Sequence, residues 1–158
     1  MKIKTPIFLA IFIALITISC SKESLESIES SGTTNAVEME IEMVSMVNDY
    51  RATKNLTPLT FSAVAYKHAN AHNDYMISKG ILSHDNFQAR ANSISSETEA
   101  TLVSENVAKD YTKTIDALEK WLSSDRHRRT IEGAFTNTAV SVKQDAAGNF
   151  FFTQLFYK

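Results

Sequence analysis

The chain has 158 residues, 44% hydrophobic and 22% charged, with a formal net charge of −2. That composition is ordinary for one globular domain, and the length is enough to bury one core. The acidic balance argues against nucleic acid as the main partner, because phosphate backbones call for a basic face.

Residues 1–19 read as a leader. Lys2 and Lys4 make a basic start, and the apolar run from Pro6 to Ile18 is too short for a comfortable membrane span. Removing it takes away two bases and no acid, so the remainder is more acidic still. Cys20 follows directly and is the only cysteine, which excludes an intramolecular disulfide. A lone cysteine after such a run resembles a bacterial lipoprotein signal, with Cys20 as the acylated mature N-terminus. Thr17 stands where that pattern prefers Leu, and an ordinary signal peptide that happens to end in Cys stays open. Acylation would anchor the chain, at ~0.8 kcal/mol per buried CH₂. Residues 20–36 are rich in Ser, Glu and Thr and read as a flexible tether.

Residues 37–54 then read as a helix, with Met39, Met43, Met46, Val47 and Tyr50 on one face. After the turn at Pro58, a second helix spans 61–79 and ends at Gly80. His68 and His72 lie four apart on it, a spacing that can hold a metal, yet no third ligand accompanies them. A short helix is expected at 87–93 and an extended segment at 101–108. The next helix spans 113–124, with Thr112 as its N-cap. Strands are expected at 135–144 and 149–157, joined by the turn at 145–148. The last strand is so apolar that it should lie centrally in a sheet covered on both faces.

Three polar stretches stand out. Ser83-His84-Asp85 follows the second helix. Ser104-Glu105-Asn106-Val107-Ala108 is the extended segment. Trp121 then closes an apolar helix face with Ile115, Leu118 and Leu122, and Ser124, Asp125, Arg126 and His127 come directly after it. The cluster Arg126-His127-Arg128-Arg129 is the one locally basic stretch of an acidic chain, and its plain reading is a solvated helix end.

The order and spacing of these stretches, together with the final Phe152–Phe156 strand, resemble the CAP superfamily, also called SCP-like. It includes pathogenesis-related class 1 and antigen-5 proteins. The likeness covers about residues 40–158 and is strongest to bacterial members. It implies an α/β fold, a three-layer α-β-α sandwich with a small, mostly antiparallel sheet, over residues 37–158. It also implies a cleft lined by two histidines and acids. By motif, His84 and His127 match the histidines and Glu105 matches one acid. The second acid position holds Ser124, with Asp125 one further on. Ser104 and Ala139 stand where glycine is usual.

Two imidazoles could hold a divalent ion such as Zn²⁺, weakly, with a carboxylate orienting them. Three readings of the cleft stay open. It could bind a ligand, tie loops to the sheet as a satisfied polar network, or hydrolyse. The favoured expectation is an exported, lipid-anchored module in the cell envelope. It would face the periplasm or the cell surface, or be secreted, and bind a small apolar or envelope ligand or a protein partner. The alternative is a metal-assisted, peptidase-like hydrolase using His84 and His127, with Glu105 as the candidate catalytic base. For that chemistry a nucleophile is hard to find, since neither Ser83 nor Ser104 sits in a G-x-S-x-G turn.

Overall fold

The computed structural model describes residues 33–158; the leader, Cys20 and the tether up to residue 32 lie outside the described residues. Among the described residues five strands form one sheet: β1 (Thr34–Asn35), β2 (Thr60–Phe61), β3 (Val103–Lys109), β4 (Asn137–Gln144) and β5 (Phe150–Tyr157). Its path runs β1-β4-β5-β3, with β2 added beside β4. Only the β2–β4 pairing is parallel. Helices α1 (Val37–Thr53), α4 (Thr114–Ser123) and α5 (Asp125–Ile131) cover one face; α2 (Ala63–Lys79) and α3 (Phe87–Thr98) cover the other. This is the expected three-layer α-β-α sandwich.

Strand alternation decides which side chain meets which layer. Asn106, Gln154 and Val140 stand in one cross-strand row on the α1/α4/α5 face. Phe152 and Phe156 share that face and pack with Met43, Val47, Leu118 and Trp121 in the larger core. Glu105, Leu155 and Ala139 make the neighbouring row on the α2/α3 face. β5 is central and buried from Phe151 through Phe156, as its unbroken apolar run requires.

Local chemistry explains most boundaries. Ser62 Oγ accepts the Ala65 N–H at 3.2 Å and starts α2; Gly80 ends it in the left-handed region, φ 68°, where a Cβ would be strained. The chain departs from expectation at four places. α3 runs on to Thr98 because Ala91 and Ile94 bury against the sheet layer. α4 begins after Lys113, so Thr112 is not its cap. The helix near Trp121 is two helices, broken at Ser124, whose ψ of 118° is extended. The sheet also starts before Val37: Thr34 and Asn35 pair with Gln144 and Lys143, and Asn35 Nδ2 donates to Glu40 Oε1 at 2.6 Å. The domain boundary therefore falls inside the stretch read as tether.

One buried cation ties the two ends of this architecture. Arg51, 1% exposed at the end of α1, donates to the carbonyls of Thr57, Ile131 and Gly133 at 2.6–3.0 Å. It fixes the α5–β4 connection against α1. A Cβ on Gly133 would lie 2.5 Å from the Phe135 ring, so the connection has no slack. Replacing Arg51 by Met orphans the Thr57 and Ile131 carbonyls at about 1–3 kcal/mol each, while the Gly133 carbonyl keeps the Phe135 N–H. The expected loss in urea denaturation is about 3–5 kcal/mol at unchanged slope, and Arg51→Lys should recover only part of it, because an ammonium lacks the planar fork.

Candidate functional site

β3 is an edge strand, and the site is built around its free edge. Successive side chains of β3 point to opposite faces, so Glu105 goes to the α2/α3 side while Ser104 and Asn106 go to the α4/α5 side. The Glu105 side chain is 1% exposed. A carboxylate that deep costs several kcal/mol unless its oxygens are matched. Arg90 of α3 matches them with a fork: Nε donates to Oε2 and Nη2 to Oε1, both at 2.9 Å. His84 Nδ1 donates a third bond to Oε1 at 2.9 Å. Arg90 Nη1 also donates to the Asp85 carbonyl at 2.9 Å, clamping the loop that carries His84.

His72 lies behind this group. It is 2% exposed, and its Nε2 donates to the Ser83 carbonyl at 2.8 Å. The same nitrogen is 3.7 Å from Glu105 Oε1, too far for a hydrogen bond. Burial pushes the His72 pKa below its ordinary value, against the pull of Glu105. The ring is therefore neutral at pH 7, and the contact with Glu105 is not an ion pair. Its Nδ1 has no partner among the described residues. His68 turns instead to Glu97, at 2.8 Å, so the i, i+4 histidine pair does not converge on one point.

From the other side, α5 brings His127. Its carbonyl accepts from Asn106 Nδ2 at 3.2 Å, while its ring Nδ1 is buried without a partner among the described residues. Burial first, then the charges of His84, Arg126 and Lys120, lower its pKa. A cavity of about 70 Å³ opens between the two sides, lined by His84, Phe87, Ser104, Glu105, Arg126 and Thr130. Of the residues named from sequence, His84 and Glu105 line it and touch each other. His127 sits beside it. Ser124 lies at the α4–α5 break, where its carbonyl accepts the Arg128 N–H at 2.8 Å. Asp125 is exposed and pairs with Arg128 at 2.7 Å, so it does not supply the second acid.

The donor set does not fit a tightly held metal. Glu105 is spent on Arg90 and His84, a guanidinium lines the cavity, and of the imidazoles only His84 lines it, with His127 beside it. Among the described residues no three His, Cys, Asp or Glu side chains form a metal-binding group.

Sequence reasoning missed Arg90 and Thr130, and it named His72 and Arg126 without placing them at this site. The first could have been found by asking which cation answers a buried Glu105; Arg90 is the only base between His84 and Glu105.

A three-layer α-β-α sandwich with a His/Glu cleft on its edge strand defines a class, and the family comparison agrees. The model of the cysteine-rich secretory protein family, CAP, matches residues 44–156. The chain belongs to that family. Among solved structures, it resembles an outer surface protein from Borrelia burgdorferi, with a TM-score of 0.73 and 16% identity over 80% of this chain and 97% of that one. It also resembles an extracellular SCP-domain protein from Bacillus anthracis, with a TM-score of 0.67 and 23% identity over 77% of this chain and 41% of that one. A cysteine-rich secretory protein from Staphylococcus aureus gives 0.64 and 17%, over 77% and 38%. The chain thus spans about two fifths of the last two. At these identities the likeness concerns the fold. No curated protein matches by sequence.

The depressed His72 pKa gives stability a pH dependence. Above about pH 6.5 the ring is neutral both folded and unfolded, so its contribution is complete. Below that, the unfolded chain binds the proton first, and stability falls toward the folded pKa. The His127 shift has the same sign. Denaturation between pH 7.5 and about 5 should show this decline; His72→Gln, which keeps a donor for the Ser83 carbonyl, should make it shallower. An equal slope in the variant would contradict the assignment.

Proposed function

We propose that this CAP domain is an exported binding module whose cleft holds a ligand without turning it over. The observation that carries this reading is the state of Glu105. Both of its oxygens are engaged, by Arg90 and His84, inside a site that gives it 1% exposure. A general base must reach the proton it takes, and this carboxylate is already committed. A serine nucleophile is also wanting. Ser104 Oγ faces Thr130 Oγ1 at 3.4 Å, and it points to the opposite side of β3 from Glu105. The metal-assisted hydrolase therefore loses support at its base and at its metal.

The apolar part of a ligand fits elsewhere. A groove of about 360 Å³ runs along α1 beside β4, lined by Val37, Ile41, Val44, Phe61, Tyr66 and Val140 over Glu40. Val37, Ile41 and Phe61 are 52%, 66% and 58% exposed there. The polar atoms beneath are already satisfied: Glu40 accepts from Tyr66 OH at 2.8 Å and from the Val142 N–H at 2.9 Å. What remains on offer is apolar contact, in a volume typical of small-molecule sites. A short acyl chain suits it.

Export is supported by the leader and by the kinship in fold with outer-surface and extracellular proteins. Among the described residues no helix is long and apolar enough to cross a membrane, so attachment would fall to acylated Cys20. In membrane fractionation, Cys20→Ser should move the protein from the pellet to the soluble fraction; retention in the pellet would remove the lipid anchor.

The binding reading is tested on the full chain purified from its membrane. Solvent extraction should release an apolar ligand, and Ile41→Glu or Phe61→Glu should reduce its yield about tenfold, through loss of roughly 1.4 kcal/mol of apolar contact. The same preparations should show no turnover on peptide and ester panels. Turnover that is lost in a folded Glu105→Gln variant would replace this reading with the hydrolase.

A further inference from the structure

β3 bonds to β5 through every second residue. Leu102 and Lys158 exchange both hydrogen bonds, at 3.2 and 3.1 Å, and the Asp110 N–H donates to the Phe150 carbonyl at 2.9 Å. The register between these points is unbroken, so Ser104, Asn106 and Ala108 also face β5. Val103, Glu105 and Val107 therefore turn their N–H and C=O groups outward, to the free edge. The Val107 carbonyl behaves accordingly, since it accepts the Trp121 Nε1–H at 3.0 Å. Among the described residues nothing bonds the outward N–H and C=O of Val103 or Glu105.

The opposite edge of the sheet is treated differently. There β1 and β2 lie along β4, Ala36 and Ser62 donate to the Val142 and Thr138 carbonyls at 2.8 and 2.9 Å, and Glu40 Oε1 accepts the Val142 N–H. β3 has no such strand beside it, and the cavity opens at Glu105 instead. Glu105 is 7% exposed as a residue while its side chain is only 1% exposed. What Glu105 shows to the cavity is thus its main chain, one donor and one acceptor on the same residue.

A partner for that pair must offer an acceptor and a donor at the same spacing. The main chain of an extended peptide does so, because one residue of an added strand exchanges both bonds with the residue opposite. The next residue able to do so lies two along, about 6.8 Å away, and meets Val103. In the other direction Trp121 has taken the Val107 carbonyl, and an added strand stops there. The walls fit the same occupant. α5 stands on one side with Thr130, and His84 and Phe87 stand on the other. The gap of about 70 Å³ between them admits a bare stretch of main chain, whereas the β3 edge of a second copy would arrive with its own helices on both faces.

We propose that the cleft takes an extended segment of a partner protein, which adds about three residues as a short strand to the free edge of β3 and is held through its main chain by Glu105 and Val103. This deepens the binding-module reading and rests on it. The carboxylate of Glu105 then has a positioning role: tied to Arg90 and His84, it fixes the walls that leave the edge open.

The test is NMR of the isotope-labelled full chain in detergent micelles at pH 7. In the free protein the Glu105 amide should exchange with solvent at least about tenfold faster than those of Ser104 and Asn106, which are bonded to β5. The probe is acetyl-Thr-Val-Thr-Val methyl ester, whose β-branched residues favour an extended chain. Its addition should shift the Glu105 and Val103 amide signals and slow exchange at Glu105. The same peptide N-methylated at every residue keeps its side chains and has no main-chain donor; it should bind at least about fivefold more weakly, the scale of one hydrogen bond. Thr130→Phe, which fills the gap from α5, should weaken the unmethylated probe to a similar degree. A Glu105 amide as protected in the free chain as that of Asn106, equal binding of the methylated peptide, or no binding of the probe overturns the proposal. So do Glu105 shifts that follow protein concentration without peptide, which would give the edge to a second copy. If an apolar ligand still co-purifies in those cases, the binding-module reading survives. Cleavage of the probe would overturn both.

Discussion

A buried carboxylate organises the α2/α3 side of this protein. Glu105 sits on an edge strand with its side chain almost wholly removed from water, and such a charge is tolerable only when each oxygen is met. The partners come from outside the sheet. His84 arrives from the loop after α2, and Arg90 from the first turn of α3. α3 buries only Ala91 and Ile94, so apolar contact alone holds it lightly. The Arg90 fork supplies what packing does not, and the bond from Arg90 to the Asp85 carbonyl carries the constraint into the loop. The cleft wall is thus a consequence of satisfying Glu105. The same satisfaction takes the carboxylate out of use as a base.

The other wall follows from a second constraint, the open edge of β3. An uncovered edge exposes unpaired backbone groups. Trp121, fully buried on α4, donates its Nε1–H to the Val107 carbonyl at 3.0 Å and so closes part of that edge. The chain must then turn back along the strand, and the break at Ser124 allows it. α5 crosses toward β3, its His127 carbonyl held by Asn106. That turn brings Arg126 and Thr130 up to the line of Ser104 and Glu105. Both sides of the cleft therefore depend on the alternation of one strand, with Glu105 bound from one face and Asn106 from the other.

Much of this was legible in the sequence where one residue's chemistry sufficed. The apolar run at 150–157 could only be a central strand, Gly80 could only end a helix, and Trp121 had to be an anchor. That His84 and Glu105 would line one cleft was implied by the family resemblance, since the two lie 21 positions apart; their direct hydrogen bond is a finding of the structure. What stayed hidden needed partners. Arg90 is one Arg in a polar stretch until a buried acid asks for it. His72 looked like half of an i, i+4 pair with His68, because helical spacing cannot say that one ring turns to Glu97 and the other to Ser83. β1 and β2 are two residues each, too short for any alternation to show. α1 hid its groove for a related reason. Its Met-rich stripe was visible, but Val37, Ile41 and Val44 form a second stripe, and composition does not tell a covered stripe from an open one.

The two candidate binding features lie toward opposite edges of the sheet. The apolar groove borders β4, and the polar cavity borders β3, two strand spacings away, about 10 Å. The row between them is Val140, Gln154 and Asn106, paired in register and each no more than 2% exposed. No ligand can pass through that row without unzipping the sheet. A molecule with an apolar chain in the groove would have to run around the helical layer to place a polar end in the cleft. The cleft, at about 70 Å³, admits only a small group, and among the described residues the groove has no unsatisfied polar atom to hold a polar end. Each surface therefore offers one kind of contact, apolar in the groove and polar in the cleft.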